Sequence, residues 1–97
     1  MEERYRVYIT PSARKEVRKL PKRVKEAVLL AAQVLEKDPF AGERLVGSFH
    51  MLYSYHFSCE KSEYRIAYSL DHFHSLVIVH LIQGRENFYD KLKRLFH

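Results

Sequence analysis

The sequence has a single cysteine, Cys59, so no disulfide can form within the chain, and a reducing cytosol is its natural home. No apolar run approaches the roughly 18 residues that a membrane-spanning helix needs. The start, MEERYRVYIT, is charged and lacks the apolar stretch of a secretion signal. Linkers, internal repeats and low-complexity blocks are absent. So are a carboxylate pair, a metal-ligand box and a glycine-rich loop, and the chain has three glycines in all. These gaps point away from secreted disulfide scaffolds and membrane proteins, and toward a soluble cytoplasmic domain.

What is there suffices for a core. Hydrophobic residues make up 46% and aromatics 13% of 97 residues, enough for one domain spanning 1–97. A chain of this size buries a limited fraction of its surface, so its stability is expected to be modest. The formal charge is +5 and the isoelectric point is near 9.4. That balance favours phosphate backbones or an acidic protein as partners.

The elements follow from periodicity. RYRVYI (4–9) alternates, with Tyr5, Val7 and Ile9 on one face, and predicts a strand. Thr10 or Ser12 can cap the helix that follows, and Pro11 suits its first turn. That helix is expected over 11–18. Pro21 opens a second, running to about Lys37, with Val24, Val28, Ala31 and Leu35 on its buried face. Three strands come next. LYSYHFS (52–58) and EYRIAYSL (63–70) alternate, while SLVIVHLI (75–82) is almost wholly apolar and reads as covered on both sides. CEKS and DHFH have hairpin length. The chain closes on ENFYDKLKRLF, an amphipathic helix with Phe88, Leu92 and Leu95 as its stripe. The predicted fold is α+β in the order β-α-α-β-β-β-α. It has a mostly antiparallel four-stranded sheet, an N-terminal helical hairpin on one face and a short C-terminal helix.

Alternation assigns the faces of the middle strands. Tyr53, Tyr55 and Phe57 share one with Tyr64, Ile66 and Tyr68, and the helical hairpin is expected to cover it. Ser54, His56, Arg65 and Ser69 share the other, which reads as an open or partly covered polar pocket. Arg85 follows the last strand, and Tyr89 lies one helical turn later. Two guanidiniums, an imidazole and a phenol suit a phosphodiester. Arginines grip its oxygens bidentately and stabilise charge on a pentacoordinate phosphorus. Histidine or tyrosine can move a proton. With RNA the adjacent 2′-hydroxyl is the nucleophile, so such chemistry needs neither a metal nor another cofactor.

The ordered set of motifs resembles the RelE/ParE superfamily of toxins from type II toxin–antitoxin systems, over nearly the whole chain. YRVYITPSARKEVRKLPKRVKEAV is similar to its opening strand and hairpin, and DPFAGERLVGSFHMLYSYHF to its passage into the second strand. YRIAY is similar to its YR strand, and GRENFY to its terminal signature. RelE-like members are ribosome-dependent mRNA endonucleases that cut the codon in the A site. The resemblance therefore implies such an endoribonuclease (an mRNA interferase), with the ribosome, its 16S RNA, mRNA and a cognate antitoxin as partners. Matched by motif, Arg65, Arg85 and Tyr89 are the implied catalytic residues. Ser54 and His56 stand where the second strand usually bears lysines or arginines, and Gly84 where a histidine often precedes the terminal arginine. His56 is then the candidate base, since a histidine's reference pKa of about 6.5 suits a proton carrier. The other branch of the superfamily, ParE-like inhibitors of DNA gyrase, is the alternative.

Each candidate also has a plainer reading. Arg65 can pair with Glu63 or Asp71 at the sheet rim, Arg85 can pair with Glu86, and Tyr89 can belong to the core beside Phe88. His56 can be structural. His72 and His74 alternate in a turn, where two histidines make a poor metal site. His80 reads as a core or pocket-edge histidine. The basic run 13–25, with Arg14, Arg18, Lys19, Lys22 and Arg23 as candidate RNA contacts, is either a footing on ribosomal RNA or a solvated helical face. Cys59 has no activating partner in the sequence.

Overall fold

Thr10 sets where the first helix begins. In a computed structural model, which describes residues 4–96, its hydroxyl accepts a hydrogen bond from the Ala13 N–H at 3.3 Å. Pro11 follows with its φ already fixed for the first turn. Strand β1 (Arg6–Ile9) leads into α1 (Pro11–Lys19), which stops at Leu20 before Pro21. Helix α2 (Lys22–Lys37) then runs back, burying Val24, Val28, Ala31 and Leu35 as its 3.6-residue period requires.

The sheet has five strands, one more than the pattern predicts. The extra one, β2 (Glu43–Arg44), is two residues long, too short to show any alternation. Strands β3 (Tyr53–Cys59), β4 (Ser62–Asp71) and β5 (Leu76–Gly84) follow. A tight turn of Arg85–Asn87 leads to helix α3 (Phe88–Leu95). The order across the sheet is β1-β5-β4-β3-β2. All neighbours are antiparallel except β1 and β5, which run parallel.

Strand β5 is covered on both sides, and a bulge sets which residues face each. Tyr68 pairs with Val79 but the preceding Ala67 pairs with Leu81, so His80 is an extra residue. The bulge shifts the alternation by one. Val77, Val79 and Ile82 enter the main core with Ile66, Tyr68, Val28, Ala31 and Leu35. Leu81 faces the other way, joining Leu52, Ala67, Phe88 and Leu92 in a second core beneath α3. Each fully buried valine, leucine, isoleucine or phenylalanine among them contributes roughly 1.5–3 kcal/mol. Leu95, the third residue of the expected stripe, remains exposed.

The second core corrects the expected pocket. The hairpin α1–α2 covers the aromatic face, as alternation implies. The opposite face is closed over its centre, because α3 lies on Ala67 and buries Ser54 across from it. Ser69 gives its hydroxyl to a 2.8 Å hydrogen bond with His80 Nε2. The serines are therefore not a pocket floor. Only the end of this face that carries His56 and Arg65 stays open.

The passage from α2 to β2 is fixed by one buried phenol. Tyr68 donates to the Pro39 carbonyl at 2.8 Å and accepts from the Gly42 N–H at 2.9 Å. Burial pushes its pKa up to about 12, so it remains a neutral donor. Gly42 is required by proximity: a Cβ there would lie 2.8 Å from that hydroxyl oxygen and 2.9 Å from the Ser54 carbonyl oxygen.

Candidate functional site

Three elements meet at the open end of the α3 face. His56 on β3 lies directly opposite Arg65 on β4, and Arg65 lies opposite Gln83 on β5. Gly84 ends β5, and the turn after it presents Arg85. His56, Arg65 and Arg85 line one depression of about 320 Å³, together with Phe57, Ser58, Glu63 and Tyr64. His56 and Arg85 are exposed and Arg65 is half-buried.

Arg65 is held from the α3 side. Its Nη1 donates to the Tyr89 hydroxyl at 3.1 Å. Its guanidinium carbon stands 5.6 Å from the centre of the Phe88 ring and 5.5 Å from that of Tyr89. Both are cation–π distances. Phe88 is buried, so Arg65 rests against a rigid wall rather than a mobile side chain. Tyr89 is not a core residue: it is 46% exposed and joins the site through Arg65. The reading of Arg65 as an ion-pair partner of Glu63 or Asp71 does not hold. Asp71 engages His74 at 2.8 Å, and that hydrogen bond holds its carboxyl below the usual carboxylate range.

Arg85 pairs with Glu63, not with Glu86. Its Nη1 lies 2.9 Å from Glu63 Oε2, with both side chains largely in solvent. A second depression of about 390 Å³, lined by Gln83, Asn87 and others, shares Glu63, Tyr64 and Arg85 with the first. The ion pair thus stands between two hollows. An exposed pair of this kind is worth little by itself, about 0–1 kcal/mol, so an incoming anion can displace the carboxylate.

A family model described as the ParE-like toxin of type II bacterial toxin–antitoxin systems matches residues 7–93. The chain belongs to this family. Solved structures agree in fold. A chain of the toxin–antitoxin complex RelBE2 from Mycobacterium tuberculosis is 28% identical, with 84% of this chain and 99% of that one covered at a TM-score of 0.76. A mutant of the Escherichia coli toxin RelE in the free state is 20% identical, with 94% and 97% covered, at 0.74. The archaeal RelE–RelB complex from Pyrococcus horikoshii is 25% identical over 84% and 96%, at 0.63. No curated protein matches by sequence.

In this ParE-like toxin the remaining candidates lie elsewhere. Arg14, Arg18, Lys19, Lys22 and Arg23 are all exposed on the α1–α2 hairpin, which covers the sheet face opposite Arg65. Arg14 sits over the Tyr8 ring at 5.8 Å, and Arg23 is 3.8 Å from Glu60. His72 meets the Tyr5 hydroxyl at 2.7 Å and stacks on Phe40. Among the described residues no helix is long and apolar enough to cross a membrane. Two residues of the site, Glu63 and Phe88, were not among the candidate functional residues of the sequence. Glu63 was legible by alternation, being two positions before Arg65. The wall formed by Phe88 was not, because nothing local says where α3 docks.

Proposed function

We propose that this ParE-like toxin is a ribosome-dependent endoribonuclease that cuts mRNA in the A site, and that a cognate antitoxin restrains it in the cytoplasm. The observation that carries the reading is the placement of Arg65 and Arg85 on one depression with His56. A phosphodiester entering it meets a cation fixed by Phe88 and Tyr89, and a second whose present partner is an easily displaced carboxylate. The 2′-oxygen attacks the adjacent phosphorus, forming the O2′–P bond as the P–O5′ bond breaks. A base takes the 2′-hydroxyl proton and an acid protonates the departing 5′-oxygen, leaving a 2′,3′-cyclic phosphate and a 5′-hydroxyl. His56, opposite Arg65, is the candidate base, and the carboxylate of Glu63, freed from Arg85, is a second proton acceptor within the same lining. Tyr89 orients Arg65 and the base stacked against it. The two arginines carry the charge that grows on the phosphoryl oxygens, an effect worth roughly a hundred- to thousandfold in rate for each donor lost. The cations of the hairpin supply electrostatic footing on ribosomal RNA.

Arg65→Ala combined with Arg85→Ala should abolish growth arrest and cleavage of translated mRNA while the circular dichroism spectrum and melting curve stay near wild type. A double variant that still fragments mRNA would refute the assignment. A second reading, inhibition of DNA gyrase without RNA cleavage, has support from the ParE-like family model. Induction separates the two: a DNA-damage response with linearised DNA marks gyrase inhibition, and fragmented mRNA with intact DNA marks the nuclease.

A further inference from the structure

Strand β1 stops at Ile9, which pairs with Val79, so β5 runs on past it with a strand neighbour on one side alone. Helices α1 and α3 close in on that gap and leave a cleft of about 250 Å³ beside His80 and Leu81. Its polar lining comes from three elements: Ser12 and Glu16 of α1, His80 of β5, and Lys91 and Arg94 of α3. Lys91 and Arg94 are three residues apart and so share a helix face. Ala13, Leu81 and Leu95 supply apolar wall. None of these groups lines the depression of Arg65 and Arg85.

The charges of this cleft do not meet. Glu16 and Lys91 are both half-buried. Opposite charges partly removed from water normally pair, because their desolvation is otherwise uncompensated. Among the described residues, no ion pair or side-chain hydrogen bond engages Glu16, Lys91 or Arg94. His80 uses Nε2 for Ser69 at 2.8 Å, and its Nδ1 has no partner among the described residues. The cleft thus offers two cations from α3, a carboxylate from α1 and an imidazole nitrogen from β5. An anion that also carries hydrogen-bond donors answers all of them.

We infer that this cleft binds a small phosphate monoester bearing hydroxyl groups, with the phosphorylated ribose of a nucleotide as its chemical class. Lys91 and Arg94 hold the phosphate through charge-assisted hydrogen bonds. Glu16 accepts from the sugar hydroxyls, and Leu81 and Leu95 pack on the carbon skeleton. The formal charge of +5 gathers a dianion in preference to a zwitterion. Lys91 stands one turn after Phe88, the wall behind Arg65. The bound phosphate therefore ties the helix that carries this wall to α1 and β5. The inference needs only the fold, and rests on neither the nuclease nor the gyrase reading.

The probe is ribose 5-phosphate, with ribose and inorganic phosphate for comparison, added to the free chain. At about 10 mM it should raise the thermal midpoint by a few degrees, and ribose should not. Amides of residues 92–95 should exchange with deuterium more slowly once it is bound, because opening α3 must then release the ligand. Lys91→Gln should weaken binding by about tenfold or more, as loss of a charged donor implies. Lys93→Gln removes the same charge from the same helix outside this cleft, and should leave binding unchanged. Glu16→Gln should tighten inorganic phosphate, by removing a like charge, and erase the preference for ribose 5-phosphate over it. A midpoint that does not move, or that moves equally in Lys91→Gln, overturns the inference. Equal affinity of the unaltered chain for ribose 5-phosphate and inorganic phosphate overturns it too. If Lys91→Gln does not fold, Glu16→Gln and the deuterium pattern carry the test. A 5′-phosphorylated oligoribonucleotide bound with the same dependence on Lys91 supports the site and makes its source an RNA end; binding of ribose 5-phosphate alone supports it and makes the source a free sugar phosphate or nucleotide.

Discussion

Ser54 has its hydroxyl buried where α3 meets the sheet, and among the described residues nothing accepts or donates to it. An unpaired buried hydroxyl costs about 1–3 kcal/mol, whereas a methyl group in its place costs little. Ser54→Ala should therefore raise stability by about 1 kcal/mol, seen as an upward shift of the thermal midpoint by a few degrees. A lower midpoint would mean that the hydroxyl has a partner. At this scale the sequence was informative about direction and silent about company. Alternation put Ser54, His56 and Arg65 on one face, correctly. It could not tell that Ser54 would be sealed in, Ser69 tied to His80, and Arg65 shelved on Phe88. Those contacts join residues far apart in the chain.

The elements were easier to read, because their limits come from local chemistry. Pro11, Pro21 and Pro39 bracket the helices, and the hairpin lengths of CEKS and DHFH place the turns. One hairpin turn is made from unsuitable residues. Glu60 and Lys61 sit at φ of 49° and 68°, the left-handed region that a two-residue hairpin loop requires and that glycine or asparagine enters most easily. A non-glycine residue there loses about 1–2 kcal/mol, and glycine's greater freedom in the unfolded chain returns roughly half of that. Lys61→Gly should thus stabilise the protein by about 0.5–1 kcal/mol in chemical denaturation, with an unchanged m-value. What the pattern missed at this scale was β2, too short to alternate, and the bulge at His80, invisible inside an apolar run that serves both faces.

For the molecule as a whole, His80 is where α1, β5 and α3 come together. Its ring meets Ser69 at 2.8 Å and the Phe96 ring edge-on at 5.2 Å. Glu16 of α1 and Lys91 and Arg94 of α3 line the same cleft. Burial holds its pKa below the ordinary value of 6.5. The unfolded chain then binds this proton more readily than the folded one, so stability is complete above pH 6.5 and falls as pH drops toward the lowered folded value. The stability of wild type should decline between pH 7 and 5 more steeply than that of His80→Gln, in urea melts at each pH. Parallel profiles would show that His80 does not couple α3 to acid. Asp71 contributes separately and lower down, since its carboxyl is held below its usual range and its contribution is lost only as pH falls through that range.

The sequence by itself determined the kinds of element, their order and which residues alternate toward which face, because those follow from a period of two or 3.6 along a few neighbouring positions. It also held the family's motifs, and with them Arg65, Arg85 and Tyr89 as candidates, while alternation set His56 on the face of Arg65. Only the tertiary structure decided that α3 closes most of the polar face, that Glu63 occupies Arg85, and that Glu16, His80 and Lys91 share one cleft. Strand order and helix docking are settled by burial between distant segments, and no short window of sequence contains both partners.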